Sequence, residues 1–131
     1  MTSEQRFREL CRDLCDHHGW ELRPNGVHVP LPGGRGQVVS LDLFQFEERD
    51  MVRLTTVIGS ASAANTVRLN IAMRLNAELA HGAFAVREDD LIMTDTLLLA
   101  DVDPDELEGA LRYLAETADR HEEQIFGTDQ H

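Results

Sequence analysis

The sequence predicts an α+β fold in which three helices pack on one antiparallel sheet, in the order α-β-β-β-β-α-β-β-α. Three features indicate this order. Apolar residues recur at helical spacing near both ends and in the middle of the chain, two long stretches between them alternate with a period of two, and glycines separate several of these segments. With 131 residues and 42% hydrophobic content, the chain is long enough to bury a core without disulfides or metals. We therefore expect a single domain across residues 1–131.

The first helix is predicted over residues 3 to 18. Thr2 and Gln5 fit a capping box, in which each side chain bonds the backbone N–H group of the other residue. Apolar residues and two cysteines then follow at helical spacing. Gly19 is expected to end the helix, because glycine enters the left-handed conformation without steric penalty.

Four strands are predicted between the first and second helices. Two short strands, Trp20 to Arg23 and Val27 to Pro30, flank the turn Pro24-Asn25-Gly26, where Asn-Gly supplies positive φ angles at little cost. A long strand, Gln37 to Phe46, is followed by Met51 to Ile58 as its antiparallel neighbour. The long strand alternates between a more apolar face and a less apolar one, namely Val39, Leu41 and Leu43 against Ser40, Asp42, Phe44 and Phe46.

The chain beyond residue 65 predicts a helix, a tight hairpin and a second helix. The helical pattern covers residues 66 to 80 and is expected to stop at Gly82. Phe84 to Arg87 and Leu91 to Leu98 are the predicted hairpin strands. Asp103 is placed to cap a long final helix that buries one apolar stripe.

The middle helix is predicted to be apolar on two sides. One side consists of Ile71, Ala72, Leu75 and Leu79. The roughly opposite side consists of Leu69, Met73 and Ala77. Two apolar sides need two covering surfaces, of which the sheet is one. The other is either a helix of the same chain or the matching helix of a second subunit, and we favour an isologous homodimer with Leu69, Met73 and Ala77 as its interface.

The charge balance argues against two classes of partner. Acidic residues outnumber basic ones by 24 to 12, and the net charge of −12 repels nucleic-acid phosphates and anionic membrane surfaces. The first residues lack the apolar core of a signal peptide, and no run approaches the ~18 apolar residues of a membrane helix. We expect a cytoplasmic protein with a protein partner.

No catalytic, cofactor-binding or metal-binding residues are predicted. Cys11, Cys15, His17 and His18 suggest a zinc site, but a structural site draws a second ligand pair from elsewhere and the chain has only two cysteines. Buried free thiols explain these cysteines better. An alternative is a small-molecule-binding or enzymatic domain with a pocket near Cys11, Cys15, His18 and Trp20.

The second half of the chain carries a pattern that is shared with a known family. A helix with Leu and Asn precedes a Gly, a short hairpin follows, and the terminal helix contains an Ala-Asp pair. In this sequence these positions are Leu75, Asn76, Gly82, Phe84, Leu107, Ala118 and Asp119. In this pattern the chain resembles the YbjN-like family, labelled bacterial sensory transduction regulators, and the related chaperones of type III secretion.

The resemblance implies the secretion-chaperone-like α+β fold, a small acidic homodimer and no catalytic residues. Secretion chaperones hold an extended segment of a client along their surface, and strand addition with apolar pockets is a physically sensible way to do so. Phe44 and Phe46 are then candidates for a partner-binding surface. Burial under a helix is the alternative for these two residues, and we favour it. The expected function is that of a non-enzymatic chaperone or regulator that holds a segment of a partner protein.

Overall fold

A computed structural model describes residues 1–126 of the chain. This part forms helices and strands in the predicted order, with short 3-10 turns at Pro32–Gly34 and Ala61–Ala63. The helices are α1 (Ser3–His18), α2 (Thr66–Leu75) and α3 (Pro104–Phe126). The strands are β1 (Glu21–Arg23), β2 (Gly26–Pro30), β3 (Gly36–Phe46), β4 (Arg49–Ser60), β5 (Ala83–Arg87) and β6 (Asp90–Leu98).

The six strands form one antiparallel sheet in the order β1-β2-β3-β4-β6-β5. The predicted α+β class and element order are therefore confirmed. Helix α3 lies across β3, β4 and β6, whereas α1 contacts β1 and α2 contacts β5. Fully buried residues such as Val39, Leu54 and Met93 face these helices, and the alternate residues of the same strands face away. Within residues 1–126, no helix is both long and apolar enough to span a membrane.

Helix α1 begins and ends as its sequence predicts. The Gln5 N–H group donates to Thr2 Oγ1 over 3.1 Å, and the Thr2 N–H group donates to Gln5 Oε1 over 2.9 Å. Gly19 has a φ of 69° and donates its N–H to the Cys15 carbonyl. The capping box and the glycine stop are both confirmed.

The β1–β2 hairpin corrects the expected role of Gly26. Its loop consists of Pro24 and Asn25, and neither Asn25 nor Gly26 has a positive φ. Glycine is required for another reason, since a Cβ atom at position 26 would lie 2.6 Å from the Val39 carbonyl oxygen. The constraint is therefore close approach of β2 to β3, not the conformation of the turn.

Helix α2 is shorter than predicted, because it ends at Leu75 and not at residue 80. Asn76 is the C-cap, and its side chain bonds the backbone of Phe84 on β5. Gly82 does have a positive φ of 69°, but it directly precedes β5 and does not end the helix. The bonds from Asn76 to β5 take the place of a further helical turn.

Candidate functional site

Half of strand β3 has a partner on one side only. Strand β2 pairs with β3 from Pro30 as far as Gly26, which lies opposite Ser40. Beyond it the Leu41 N–H group still bonds the Asn25 carbonyl, and the last five residues of β3, numbers 42–46, pair with β4 alone among residues 1–126. We call the outer side of these five residues the open edge.

The open edge presents backbone groups that can bond another strand. The Leu41 N–H group donates to the Asn25 carbonyl over 2.9 Å, which fixes the direction in which this residue points. Backbone groups alternate along a strand, so the N–H and C=O groups of Leu43 and Gln45 point to the same outer side. An extended chain laid along this edge would find these donors and acceptors in the spacing of an antiparallel ladder.

A groove of about 430 Å³ lies beside the open edge, between α1, the β1–β2 turn and β3. Its floor is apolar and includes Phe7 from α1 and Leu41 and Leu43 from β3. Its rim carries three arginine side chains, Arg8, Arg12 and Arg23. The remaining lining residues are Cys11, Leu22, Pro24, Asn25 and Gly26.

The edge at the far end of the sheet is covered. On β5, the Phe84 N–H group donates to Asn76 Oδ1 over 2.7 Å, and Asn76 Nδ2 donates to the Phe84 carbonyl over 3.2 Å. The side-chain amide thus occupies the outward backbone groups at the centre of this strand. Natural sheets often cover an edge in this way to prevent unwanted strand pairing. The covered β5 edge contrasts with the open edge of β3.

Phe44 and Phe46 lie on the face of the sheet opposite the helices. The Arg53 guanidinium lies 4.4 Å above the centre of the Phe44 ring. Phe46 is 59% exposed at the end of β3. Their expected burial under a helix is wrong, because in β3 the residues that face the helices are Val39, Leu41 and Leu43. Both rings instead border the open edge.

The residues proposed for a dimer interface divide between two environments. Met73 is 74% exposed and Ala77 is exposed, whereas Leu69 is half-buried against the core. Ala77 lies beyond the end of α2. Val67, which lies outside the predicted interface, is 67% exposed on the same helix.

The residues of the alternative pocket do not converge on one cavity. Cys11 lines the groove, but Cys15 is buried in the core. His18 stacks on Trp20 with ring centres 5.0 Å apart, and its Nε2 atom lies 3.1 Å from the Glu108 carboxylate on α3. These contacts join α1 to α3.

Both cysteines are neutral thiols. Burial, with a smaller contribution from the neighbouring Cys15, raises the pKa of Cys11 to about 12. Burial also raises the pKa of Cys15. A thiol is a weak nucleophile and a weak metal ligand until it is deprotonated. In residues 1–126, no group of three or more His, Cys, Asp or Glu side chains is arranged to hold a metal ion.

A known family matches nearly the whole chain. The sequence profile of the YbjN family, described as "Putative bacterial sensory transduction regulator", matches residues 8–127. The chain belongs to the YbjN family. No curated protein sequence matches this YbjN-family chain significantly.

Two solved structures have the same fold as this YbjN-family chain. A chain from the crystal structure of the ExsC–ExsE complex superposes with a TM-score of 0.66 at 13% identity, covering 92% of this chain and 94% of the other. A chain from the structure of the Yersinia pestis type III secretion chaperone SycH, in complex with a stable fragment of YscM2, gives 0.57 at 17% identity, covering 86% and 96%. The fold is therefore that of type III secretion chaperones, as the resemblance implied.

Proposed function

We propose that this YbjN-family protein is a non-enzymatic chaperone or regulator that holds an extended segment of a partner protein along the open edge of β3. The observation that carries the proposal is the pairing of β3, which among residues 1–126 lacks a second neighbour from Asp42 to Phe46, where it borders an apolar groove. Main-chain hydrogen bonds to a sheet edge give affinity, and pockets for alternate side chains give selectivity. The open edge offers the main-chain hydrogen bonds, and the groove offers a pocket for side chains.

The dimensions of the edge suit a short extended segment. At roughly 3.3 Å per residue, five residues of β3 extend over about 17 Å. Alternate side chains of an added strand would face the groove floor of Phe7, Leu41 and Leu43 on one side. The others would lie beside Phe44 and Phe46 on the opposite face, which keeps these two rings as partner-binding candidates.

The two structural neighbours support a protein partner for this chain. Both were crystallised as complexes with another protein, ExsE in one case and a fragment of YscM2 in the other. A protein of this fold with an exposed sheet edge can hold a partner segment through main-chain hydrogen bonds.

A cytoplasmic homodimer is part of this proposal. Helix α2 exposes the large apolar side chains of Val67 and Met73, and exposed apolar side chains of this kind favour contact with a second surface. In an isologous dimer the same face of a second copy would cover them. Leu69 and Ala77 would flank this contact.

Site-specific crosslinking tests the proposed groove. A photoreactive amino acid placed at Leu22, which lines the groove and is 43% exposed, should crosslink the partner in cells. The matched control is Val57, which is 46% exposed on the opposite face of the sheet. Specific partner adducts at position 22 and none at position 57 are the expected result. Equal labelling at both positions, or labelling at 57 alone, would refute the groove as the binding site.

Hydrogen exchange supplies the second part of the test. The amides of Leu43 and Gln45 point to the open edge, so partner binding should slow their exchange. Amides that already pair with β4, such as that of Phe44, should change little. Unchanged exchange at positions 43 and 45 in the saturated complex would show that no strand is added there.

A further inference from the structure

The groove is lined by arginines although the protein as a whole is strongly acidic. The chain carries 24 acidic and 12 basic residues, yet the groove is lined by three arginines and by no acidic side chain. The neighbouring groove between α1 and α3 has the opposite character, since Asp13, Asp105 and Glu108 line it. Positive charge is therefore concentrated beside the open edge of β3.

The three arginines are available to a ligand. Arg8 pairs with Glu4 over 2.8 Å and Arg23 pairs with Glu21 over 2.8 Å, but both arginine side chains remain exposed, by 59% and 44%. Exposed ion pairs of this kind are weak, so a ligand carboxylate can share or replace them. Arg12 is exposed and has no carboxylate within ion-pair distance among residues 1–126.

The spacing of two arginines matches an extended chain. Helix α1 follows the open edge, because Glu4 in its first turn lines a hollow with Leu43 and Gln45, whereas Cys11 further along lines the groove with Leu41 and Leu43. Arg8 and Arg12 are one turn apart, which separates them by about 6 Å along the helix. Alternate residues of a strand are separated by a similar distance of about 6.6 Å. Two carboxylates at alternate positions of one strand would thus meet two arginines.

We propose that the partner segment held in this groove is acidic, with two Asp or Glu residues at alternate positions that pair with Arg8 and Arg12. This inference rests on the proposed function and adds the chemistry of the segment. Arginine is suited to the role, because its planar guanidinium binds a carboxylate through two parallel hydrogen bonds. The residues between the two acidic ones would point to the opposite face of the sheet, beside Phe44 and Phe46. Arg23, on the opposite wall, adds to the positive potential.

Peptide titration calorimetry tests the inference. The probes are three capped peptides of about eight residues, long enough to cover the open edge. In each of them valine alternates with a second residue, which is glutamate, glutamine or lysine. The glutamate peptide should bind most tightly and the lysine peptide most weakly. Binding of the glutamate peptide should weaken as sodium chloride is raised, because salt screens exposed charges.

Charge-neutralising variants identify the residues responsible. Arg8→Gln and Arg12→Gln should each weaken glutamate-peptide binding by about two- to fivefold, as expected for exposed ion pairs, and should leave glutamine-peptide binding unchanged. The control is Arg87→Gln, which makes the same change in charge on exposed Arg87 at the end of β5. It should affect neither peptide. All three side chains are exposed, so circular dichroism should show each variant folded as the parent.

The outcomes separate this inference from the function on which it rests. Equal binding of the glutamate and glutamine peptides, with no effect of Arg8→Gln or Arg12→Gln, would overturn the acidic preference and leave strand addition intact. Failure of all three peptides to bind would overturn both. Arginine-dependent binding of laurate without peptide binding would show a small-molecule carboxylate site. A halved native mass for Arg12→Gln would show that the groove holds a second copy of the chain. Either of these last two results would overturn the inference.

Discussion

Asn76 and Phe84 are joined by two hydrogen bonds from one side-chain amide to the backbone of one residue, over 2.7 and 3.2 Å. This contact ends helix α2, directs the chain into β5 and covers the outward backbone groups at the middle of that strand. It gives a structural role to Asn76, which is the Asn of the family pattern. The residue is structural, because it holds the end of α2 against β5 and covers that edge of the sheet.

Replacing Asn76 by Ala should therefore destabilise the fold. The substitution leaves a partly buried N–H group and a partly buried carbonyl of Phe84 without partners, which costs about 1–3 kcal/mol of unfolding free energy. Urea unfolding measures the change. The matched control is Asn70→Ala on the exposed side of α2, where the amide bonds only the neighbouring Arg74 side chain over 2.7 Å. Equal losses for the two variants would contradict the role assigned to Asn76.

The sequence predicts helix ends that are fixed by residues close to each other in the chain. The Thr2 capping box, the Gly19 stop and the cap at Asp103, whose carboxylate accepts the Glu106 N–H group over 2.7 Å, all involve residues within a few positions of each other. The end of α2 could not be predicted in this way, because Asn76 acts on a residue that comes close only when β5 is in the sheet.

The open edge was not predicted from the sequence, although the lengths of two predicted strands indicate it. The predicted strand Val27 to Pro30 has four residues, whereas the predicted strand Gln37 to Phe46 has ten. A short strand cannot pair with the whole of a long one, so this mismatch already indicated an unpaired segment. The three arginines of the groove could not be predicted together from the sequence, because Arg23 lines the same groove as Arg8 and Arg12 only when β1 packs beside α1.

The close approach at Gly26 predicts a second stability change. In Gly26→Ala the new methyl group would lie 2.6 Å from the Val39 carbonyl oxygen, and backbone atoms cannot move aside cheaply. The unfolding free energy should fall by about 1–3 kcal/mol, as for other overpacked sites. Thermal and urea unfolding both report this loss.

Gly109→Ala is the control that separates crowding from a general effect of removing glycine. Position 109 lies inside α3, and a Cβ atom there would have no neighbour within 4 Å. Alanine favours a helix interior over glycine by about 0.5–1 kcal/mol, so this variant should be more stable than the parent. If both variants were more stable than the parent, the β2–β3 contact would have room for a methyl group at position 26, and the predicted crowding would be wrong.

The thiol of Cys11 should be unreactive in the native protein. Burial raises its pKa from an ordinary 9.0 to about 12, and each pKa unit lowers the thiolate fraction tenfold. Alkylation by iodoacetamide at pH 8 should then be about a thousandfold slower than in urea-unfolded protein. Mass spectrometry of modified peptides measures the rate at each cysteine. Rapid native labelling of Cys11 would support the small-molecule or enzymatic alternative.

The same pKa predicts how stability depends on alkaline pH. Between pH 9 and pH 12 the unfolded chain has released the Cys11 proton while the folded protein retains it, so the unfolded state is favoured as pH rises. Stability contributed by this thiol is complete below pH 9 and is lost across that window. Urea unfolding at pH 8, 10 and 11 should show a shallower decline for Cys11→Ala than for the parent. Parallel declines in the two proteins would contradict the assignment.

Met73→Glu tests the proposed homodimer. Met73 is 74% exposed on α2, so a charge there costs little in the single chain but would be desolvated without a partner at a helix–helix contact. We expect a folded monomer by light scattering and circular dichroism. Met73→Leu keeps an apolar side chain of similar volume and should remain dimeric. If Met73→Glu stays dimeric, the subunits meet at another surface; if it unfolds, this side of α2 is covered within its own chain.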